Sequence, residues 1–346
     1  MNPNGSQHGD EGSRTRGWRR ADGVRSKAQA PGLIWLAIWL TGAAIACIDP
    51  APARGQEPAE SEVTPSETEL YRTWYNEADP AKKLEHGRAY LREYPKGQYA
   101  DYLGKWVHSE ELKQKWAAAE QKYVAALKQE DDRSLFQAGA ELLEVDTENI
   151  GILYTLANRA RLLAHKNPPD YTYAAVATKY AKKAISLIDA GQVPKSITDR
   201  SAWESQGKAI TLGNLYELLG LIALKDNQDA GAMAAFEKVA TYQKHDPMPH
   251  YYLGKLENDA YQKLVAQLPA EPEQRAKPEH AALVDQANAA LDRVIEHWVQ
   301  VIAYSKDDSA YSSVVQKPLE TYYKARHEND ASGLEKLIAS YRSGGG

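Results

Sequence analysis

From residue 66 onward, apolar side chains recur every three to four positions, which is the spacing of one face of an α-helix. One such series runs through Leu112, Trp116, Ala119, Tyr123 and Ala126. A second series of the same kind consists of Val284, Ala287, Leu291, Val294, Trp298 and Val301. No stretch after residue 66 shows the apolar–polar alternation, rich in β-branched side chains, that is typical of a strand. The sequence therefore predicts an all-α body.

Local signals indicate where the helices begin. Asp79 and Asp246 are each followed by proline. The aspartate side chain can accept hydrogen bonds from the free N–H groups at a helix start, and proline is favoured at the first helical position. Ser66, Ser201 and Ser332 each precede a glutamate by three residues, the pattern of a capping box. With the apolar spacing, these signals predict helices near residues 66–78, 80–93, 97–108, 110–129, 133–144, 149–165, 171–189, 200–225, 228–243, 247–267, 279–304, 308–327 and 332–342.

Residues 213–254 combine small and large side chains at a regular spacing. A Leu-Gly pair at 219–220 returns 34 residues later at 253–254. The residues of this pattern are Tyr216, Leu219, Gly220, Ala223, Ala232, Phe236, Leu253 and Gly254. The pattern resembles the tetratricopeptide repeat (TPR) family. Because one hairpin cannot bury its apolar face alone, repeats of this kind must stack.

The resemblance implies antiparallel helical hairpins stacked as a TPR-like α-solenoid over residues 66–268. In such a stack the small residues let two helices approach closely, and the large residues fill the gaps between hairpins. Residues 269–278 form a proline-rich loop, and the helices of residues 279–342 are expected to pack on the repeats. A non-repeating helical bundle is the alternative for residues 270–342.

The first 65 residues differ in composition from the body. Residues 1–31 are polar and basic with almost nothing to bury, so we expect disorder there. Residues 32–48 form an uncharged apolar segment with basic residues before it and acidic residues after it, which predicts export of everything beyond it. Residues 49–65 are a linker of Pro, Ala and Glu that would hold the body away from a membrane.

The fate of the apolar segment has three open alternatives. Its ~16 strongly apolar residues are few for a membrane-spanning helix, which needs roughly 20, but many for the core of a signal peptide. Residues 43–47 also resemble a loose bacterial lipobox, so Cys47 is a lipidation candidate. The sequence thus predicts a cleaved signal peptide, a retained anchor or a lipoprotein, and in each case a location in the bacterial cell envelope with the body outside the cytosol.

The sequence contains no recognisable catalytic or metal-binding motif. Cys47 is the only cysteine, and the nine histidines show no metal-ligand spacing. The sequence has neither a Gly-rich phosphate loop nor a nucleophile elbow. A net charge of −5 argues against nucleic acid as a partner. We therefore expect no enzyme activity, no cofactor and no metal.

Aromatic residues are concentrated in the first predicted hairpins. The candidate partner-binding residues are Tyr71, Trp74, Tyr75, Tyr99, Tyr102 and Trp106. They either fill the space between helices or form an exposed groove for an extended peptide or a glycan. In the best repeat, Asn214, Glu217 and Leu221 occupy the inward-facing positions, which do not form a carboxylate clamp.

Two functions follow as expectations. The first is a non-catalytic scaffold, tethered to a membrane of the bacterial envelope, that binds another protein on its concave helical face. The second is a repeat module that binds a peptide, glycan or small ligand in an aromatic cleft around Tyr71–Trp106.

Overall fold

The computed structural model describes residues 65–305 and 309–344, and every regular element within these ranges is a helix. The all-α prediction is confirmed. The main helices are α1 (Pro65–Asn76), α2 (Pro80–Glu93), α3 (Ala100–Gln129), α4 (Asp132–Val145), α5 (Ile150–Ala164), α6 (Ala174–Asp189), α7 (Lys208–Lys225), α8 (Asp229–Tyr242), α9 (Pro247–Val265), α10 (Ala281–Tyr304), α11 (Ala310–Arg326) and α12 (Leu334–Arg342).

Short helical pieces join some of these elements. Arg200–Ala202 and the π-helical turn Trp203–Gly207 lead directly into α7. Between α9 and α10 lie one helical turn, Pro272–Arg275, and the 3₁₀ turn Pro278–His280.

The main helices pack in chain order. Each one makes its substantial contacts with the next or the next-but-one helix along the chain, as in the series α5–α6–α7–α8. The buried apolar residues accordingly form several clusters along the stack rather than one central core. This arrangement is consistent with an α-solenoid, in which stability is the sum of units and their interfaces.

Small residues mark the closest helix approaches. Gly220 in α7 faces the ring of Phe236 in α8, and a Cβ added at Gly220 would stand 2.8 Å from the Phe236 Cζ. Gly254 in α9 is covered in the same way by Trp298 of α10. Of the other repeat-motif residues, Ala223, Ala232 and Leu253 are buried, and Tyr216 and Leu219 are half-buried. The motif residues therefore lie at helix–helix contacts.

Several helix boundaries differ from the sequence prediction. The predicted helices 97–108 and 110–129 are one helix, α3, because no proline or glycine interrupts residues 105–129. Asp79 and Asp246 cap α2 and α9 as predicted. The capping boxes predicted at Ser201 and Ser332 are wrong. Asp199 accepts the capping hydrogen bond from the Ala202 amide, and α12 begins after Ser332, whose side chain binds Asp330.

The N-terminal predictions lie outside the described residues. This applies to the disordered segment 1–31, the apolar segment 32–48 with Cys47, and the linker up to residue 64. Among the helices of residues 65–305 and 309–344, none combines the length and the apolar character needed to cross a bilayer.

Candidate functional site

A buried carboxylate fixes the loop between α2 and α3. Glu67 of α1 accepts hydrogen bonds from the Gln98 amide at 2.8 Å and from the Tyr90 hydroxyl. The Tyr90 oxygen in turn accepts from the Tyr99 amide at 3.1 Å. Gly97 is required here because a Cβ would collide with the Glu67 carboxylate. Burial, followed by the hydrogen bond to Glu67, raises the pKa of Tyr90. This network orients Tyr99.

Tyr99 starts a set of stacked rings that we call the aromatic patch, formed by Tyr71, Trp74, Tyr75, Tyr99, Tyr102 and Trp106. The rings of Tyr71 and Tyr99 stack with centroids 3.8 Å apart, and Tyr75 extends this row at 6.2 Å from Tyr71. Trp74 lies beside the row and meets Tyr102 and Trp106 edge-on at 5.7 and 5.2 Å. All six predicted aromatic residues therefore belong to one connected cluster.

The patch has a buried side and an exposed side. Trp74 is 3% exposed, and its buried indole N–H has no hydrogen-bond partner in the described part of the chain. By contrast, Tyr75 is 64% and Tyr102 45% exposed, the two largest values among the described large apolar residues. Lys83 places its ammonium 4.9 Å from the centre of the Trp74 ring and donates to the Tyr75 carbonyl. The structure thus combines both interpretations, because Trp74 fills space while the two tyrosines face solvent.

An exposed aromatic surface with an adjacent cation is suited to binding rather than to chemistry. Rings offer large contact area at low entropic cost, and they bind proline rings, the apolar faces of sugars or other aromatic groups. No nucleophile–base pair lies in this patch.

The inner positions of the best repeat form a second group of interest, the polar cluster of Arg161, His165 and Glu217. Arg161 and His165, both at the end of α5, contact the two carboxylate oxygens of Glu217 in α7, the arginine at 2.9 Å. Burial alone would raise the pKa of the Glu217 carboxyl, but Arg161 and His165 outweigh it, and the pKa is lowered. Glu217 therefore stays charged and is satisfied internally.

The other inward-facing positions are also occupied. Asn214 donates to the Tyr154 hydroxyl at 2.8 Å, and Leu221 is buried. Burial raises the pKa of Asp246, at the start of α9, with Glu217 as one contributing charge. The side chains at the inward-facing positions of α7 are therefore engaged within the fold. The sequence did not indicate the polar cluster, because Glu217 lies 56 residues after Arg161 and 52 residues after His165.

A histidine pair lies between α9 and α10. The Nδ1 atoms of His250 and His297 are 3.5 Å apart, and Tyr304 packs on the His250 ring. Burial, then His297 and His245, lowers the pKa of His250 to about 4. Burial also lowers the pKa of His297, although Glu296 and Glu257 oppose this change. Both rings are therefore neutral near pH 7.

This pair predicts a loss of stability in acid. The unfolded chain binds the His250 proton below about pH 6.5 while the folded chain does so only near pH 4, so stability falls as the pH drops between these values. From pH 7 to pH 5 we expect His250 to cost about 2 kcal/mol. Urea unfolding at both pH values measures this loss. Between pH 7 and pH 5, the free energy of unfolding of H250N should fall by about 2 kcal/mol less than that of the unaltered chain. The exposed His108 supplies the control, since H108N should retain the full loss. Equal pH dependence in all three proteins would contradict the prediction.

Comparisons with known proteins give no family. No protein-family model matches the chain, and no curated protein shows significant similarity to it. Within residues 65–305 and 309–344, no three His, Cys, Asp or Glu side chains come together in a way that would hold a metal ion.

Proposed function

We propose that this chain is a non-catalytic, TPR-like protein-binding scaffold of the bacterial cell envelope. In this proposal the segment 32–48, or an acylated Cys47, tethers it to a membrane, and the helical body on the outer side of that membrane binds another protein along its concave helical face. The chain needs no cofactor and does not bind nucleic acid. The repeat character is supported by Gly220 against Phe236 and Gly254 against Trp298.

The observation that carries this proposal is the packing of the helices in chain order. A stack in which each helix contacts only near neighbours exposes long faces instead of enclosing one reactive cavity. Such faces are suited to extended contact with another macromolecule.

The aromatic patch is the part of the stack best suited to that contact. Glu217 is buried and paired with Arg161, and Leu221 is buried, so neither can contact a partner. Tyr75 and Tyr102, by contrast, are exposed. The few residues that dominate binding in protein interfaces are enriched in tyrosine and tryptophan, and truncating one of them typically costs about 2 kcal/mol or more. We therefore place a main contact at this patch.

Affinity capture from solubilised membranes of the source bacterium tests the scaffold. The tagged full chain should retain a partner protein, and Y75A/Y102A should retain at least about tenfold less, which corresponds to only ~1.4 kcal/mol. The matched control is L162A/I210A, because Leu162 and Ile210, at 40% and 39%, are the other exposed large apolar residues in the described part of the chain. This control should capture as much as the unaltered chain. Equal capture by all three proteins would contradict the role of the patch.

The same sample tests the tether. Intact mass of the captured bait reports whether residues 1–46 are present and whether Cys47 carries acyl chains. A soluble, unprocessed and unacylated chain recovered from the cytosol would contradict the envelope location.

The exposure of Tyr75 and Tyr102 beside Trp74 also favours a second candidate, a module that binds a glycan or small ligand in the aromatic cleft. Its signature differs from that of the scaffold. Envelope glycans would raise the melting temperature of the purified chain but not of Y75A/Y102A, and no protein would co-purify.

A further inference from the structure

The packing of α9 against α10 brings two imidazole nitrogens together. His250 is the fourth residue of α9, and His297 lies in the last third of α10. Their Nδ1 atoms face each other at 3.5 Å, although 47 residues separate them in the chain. A search of the sequence for the spacing of metal ligands therefore passes over this pair.

A hydrogen bond between the two rings accounts poorly for their arrangement. Donor and acceptor lie about 2.7 to 3.2 Å apart in good protein hydrogen bonds, so a separation of 3.5 Å corresponds to a weak one. The His250 ring is nevertheless buried, which costs free energy unless its polar atoms find strong partners. The facing nitrogens thus have capacity for a stronger ligand than each other.

The separation suits two ligands of one metal ion. Zinc lies about 2.0 to 2.1 Å from the imidazole nitrogens that bind it, and its ligands are arranged tetrahedrally. Two nitrogens at a tetrahedral angle are then roughly 3.3 to 3.4 Å apart. The observed distance of 3.5 Å is close to this value, and both histidines are held on regular helices. Only a small movement of the rings would complete the geometry.

The charges around the pair favour a cation. The pKa of His297 is lowered by burial but raised by three nearby carboxylates, those of Glu296, Glu257 and Glu237. Arg293 opposes these carboxylates but is itself paired with Glu257 at 2.8 Å, so the balance of charge around the ring stays negative. A positive ion between the rings is therefore attracted to this place.

From this geometry we propose that His250 and His297 bind one divalent transition metal ion of the zinc and copper type through their Nδ1 atoms, with water in the other positions. Imidazole is a preferred ligand of these metals, whereas Mg²⁺ and Ca²⁺ prefer oxygen. Structural zinc sites normally have four protein ligands, so a site with two holds its ion exchangeably. The bound ion ties α9 to α10 beside the contact between Gly254 and Trp298. The site is separate from the aromatic patch and is not part of the proposed partner binding.

Isothermal titration calorimetry with ZnCl₂ tests the site in the purified full chain, without a polyhistidine tag and after removal of metal with EDTA. The unaltered chain should bind zinc, and H250N and H297N should each bind it at least about tenfold more weakly, since even the loss of a group that only orients a ligand costs 10- to 100-fold. The exposed His108 supplies the control, because H108N should keep the affinity of the unaltered chain. Equal zinc affinity in all four proteins, or no binding by the unaltered chain, would overturn the proposal.

The choice of metal separates imidazole ligands from surface carboxylates. CuCl₂ should bind more tightly than ZnCl₂, and an excess of MgCl₂ should leave zinc binding unchanged. Displacement of the zinc by Mg²⁺ would place the ion on carboxylates and contradict the proposal.

A second measurement does not require that the variants fold. In NMR spectra that correlate imidazole nitrogens with ring protons, zinc should shift the Nδ1 signals of two histidines of the unaltered chain together. A shift confined to one histidine, or to Nε2 atoms, would also overturn the proposal.

Discussion

Replacing Arg161 by methionine is expected to lower the free energy of unfolding by about 3 kcal/mol, within the range of ~3 to 5 found when one partner of a buried ion pair is removed. The reason is that Glu217 is 4% exposed and would keep only His165 as a partner. Its carboxylate would then be charged in a site that no longer compensates the loss of water. Thermal and urea unfolding, followed by circular dichroism, measure the change.

Two controls separate this effect from simple loss of a side chain. The double variant R161M/E217L removes both charges and should recover most of the loss, because apolar groups can replace a buried pair at little cost. R326M breaks the pair between Arg326 and the half-exposed Asp292, and it should cost less than about 1 kcal/mol. If R161M is no more harmful than R326M, the polar cluster does not hold α5 and α7 together.

Replacing Gly254 by alanine is expected to destabilise the chain by a net ~2 kcal/mol, because overpacking this contact costs about 3 kcal/mol, the upper part of the range for a core. The added Cβ would overlap Cδ1 and Nε1 of the buried Trp298, which itself stacks on Tyr322 at 5.7 Å. This cost exceeds the gain of about 1 kcal/mol that alanine normally gives over glycine inside a helix. The melting temperature of the full chain reports the net effect.

Gly104 offers a matched control within α3. A Cβ there would have its nearest neighbour at 4.0 Å, so G104A keeps the propensity gain without the collision. We expect it to stabilise the chain by about 0.5 to 1 kcal/mol. A stabilised G254A would show that the 253–254 pair does not mark a close helix approach, and the repeat interpretation would lose its main support.

Local signals in the sequence were sufficient for most of the fold. Apolar spacing located the helices, and Asp79 and Asp246 marked two helix starts because an aspartate before proline satisfies free N–H groups at once. The prediction at Ser201 failed because Asp199, two residues earlier, accepts the capping hydrogen bond, and the prediction at Ser332 failed because its hydroxyl binds Asp330 and α12 begins only at Leu334. The break predicted between residues 108 and 110 was wrong although a local signal opposed it, since residues 105–129 contain no proline or glycine and lie within one helix, α3.

The candidate sites were predictable only in part. The sequence grouped the aromatic residues correctly, but it could not show that Trp74 is buried while its neighbour Tyr75 is exposed. Burial at adjacent helix positions depends on where α2 and α3 lie, which is tertiary information. The polar cluster was missed for the same reason, since Glu217 meets Arg161 and His165 only after α5 and α7 have packed.

Site-specific photo-cross-linking in living cells tests partner binding through the aromatic patch most directly. A benzophenone amino acid at position 102 replaces an exposed ring by another, and the same group at position 162 serves as the matched control. Scaffold function predicts one discrete adduct with another envelope protein from position 102 and none from position 162. Identical adduct patterns at the two positions, or no protein adduct from position 102, would contradict it.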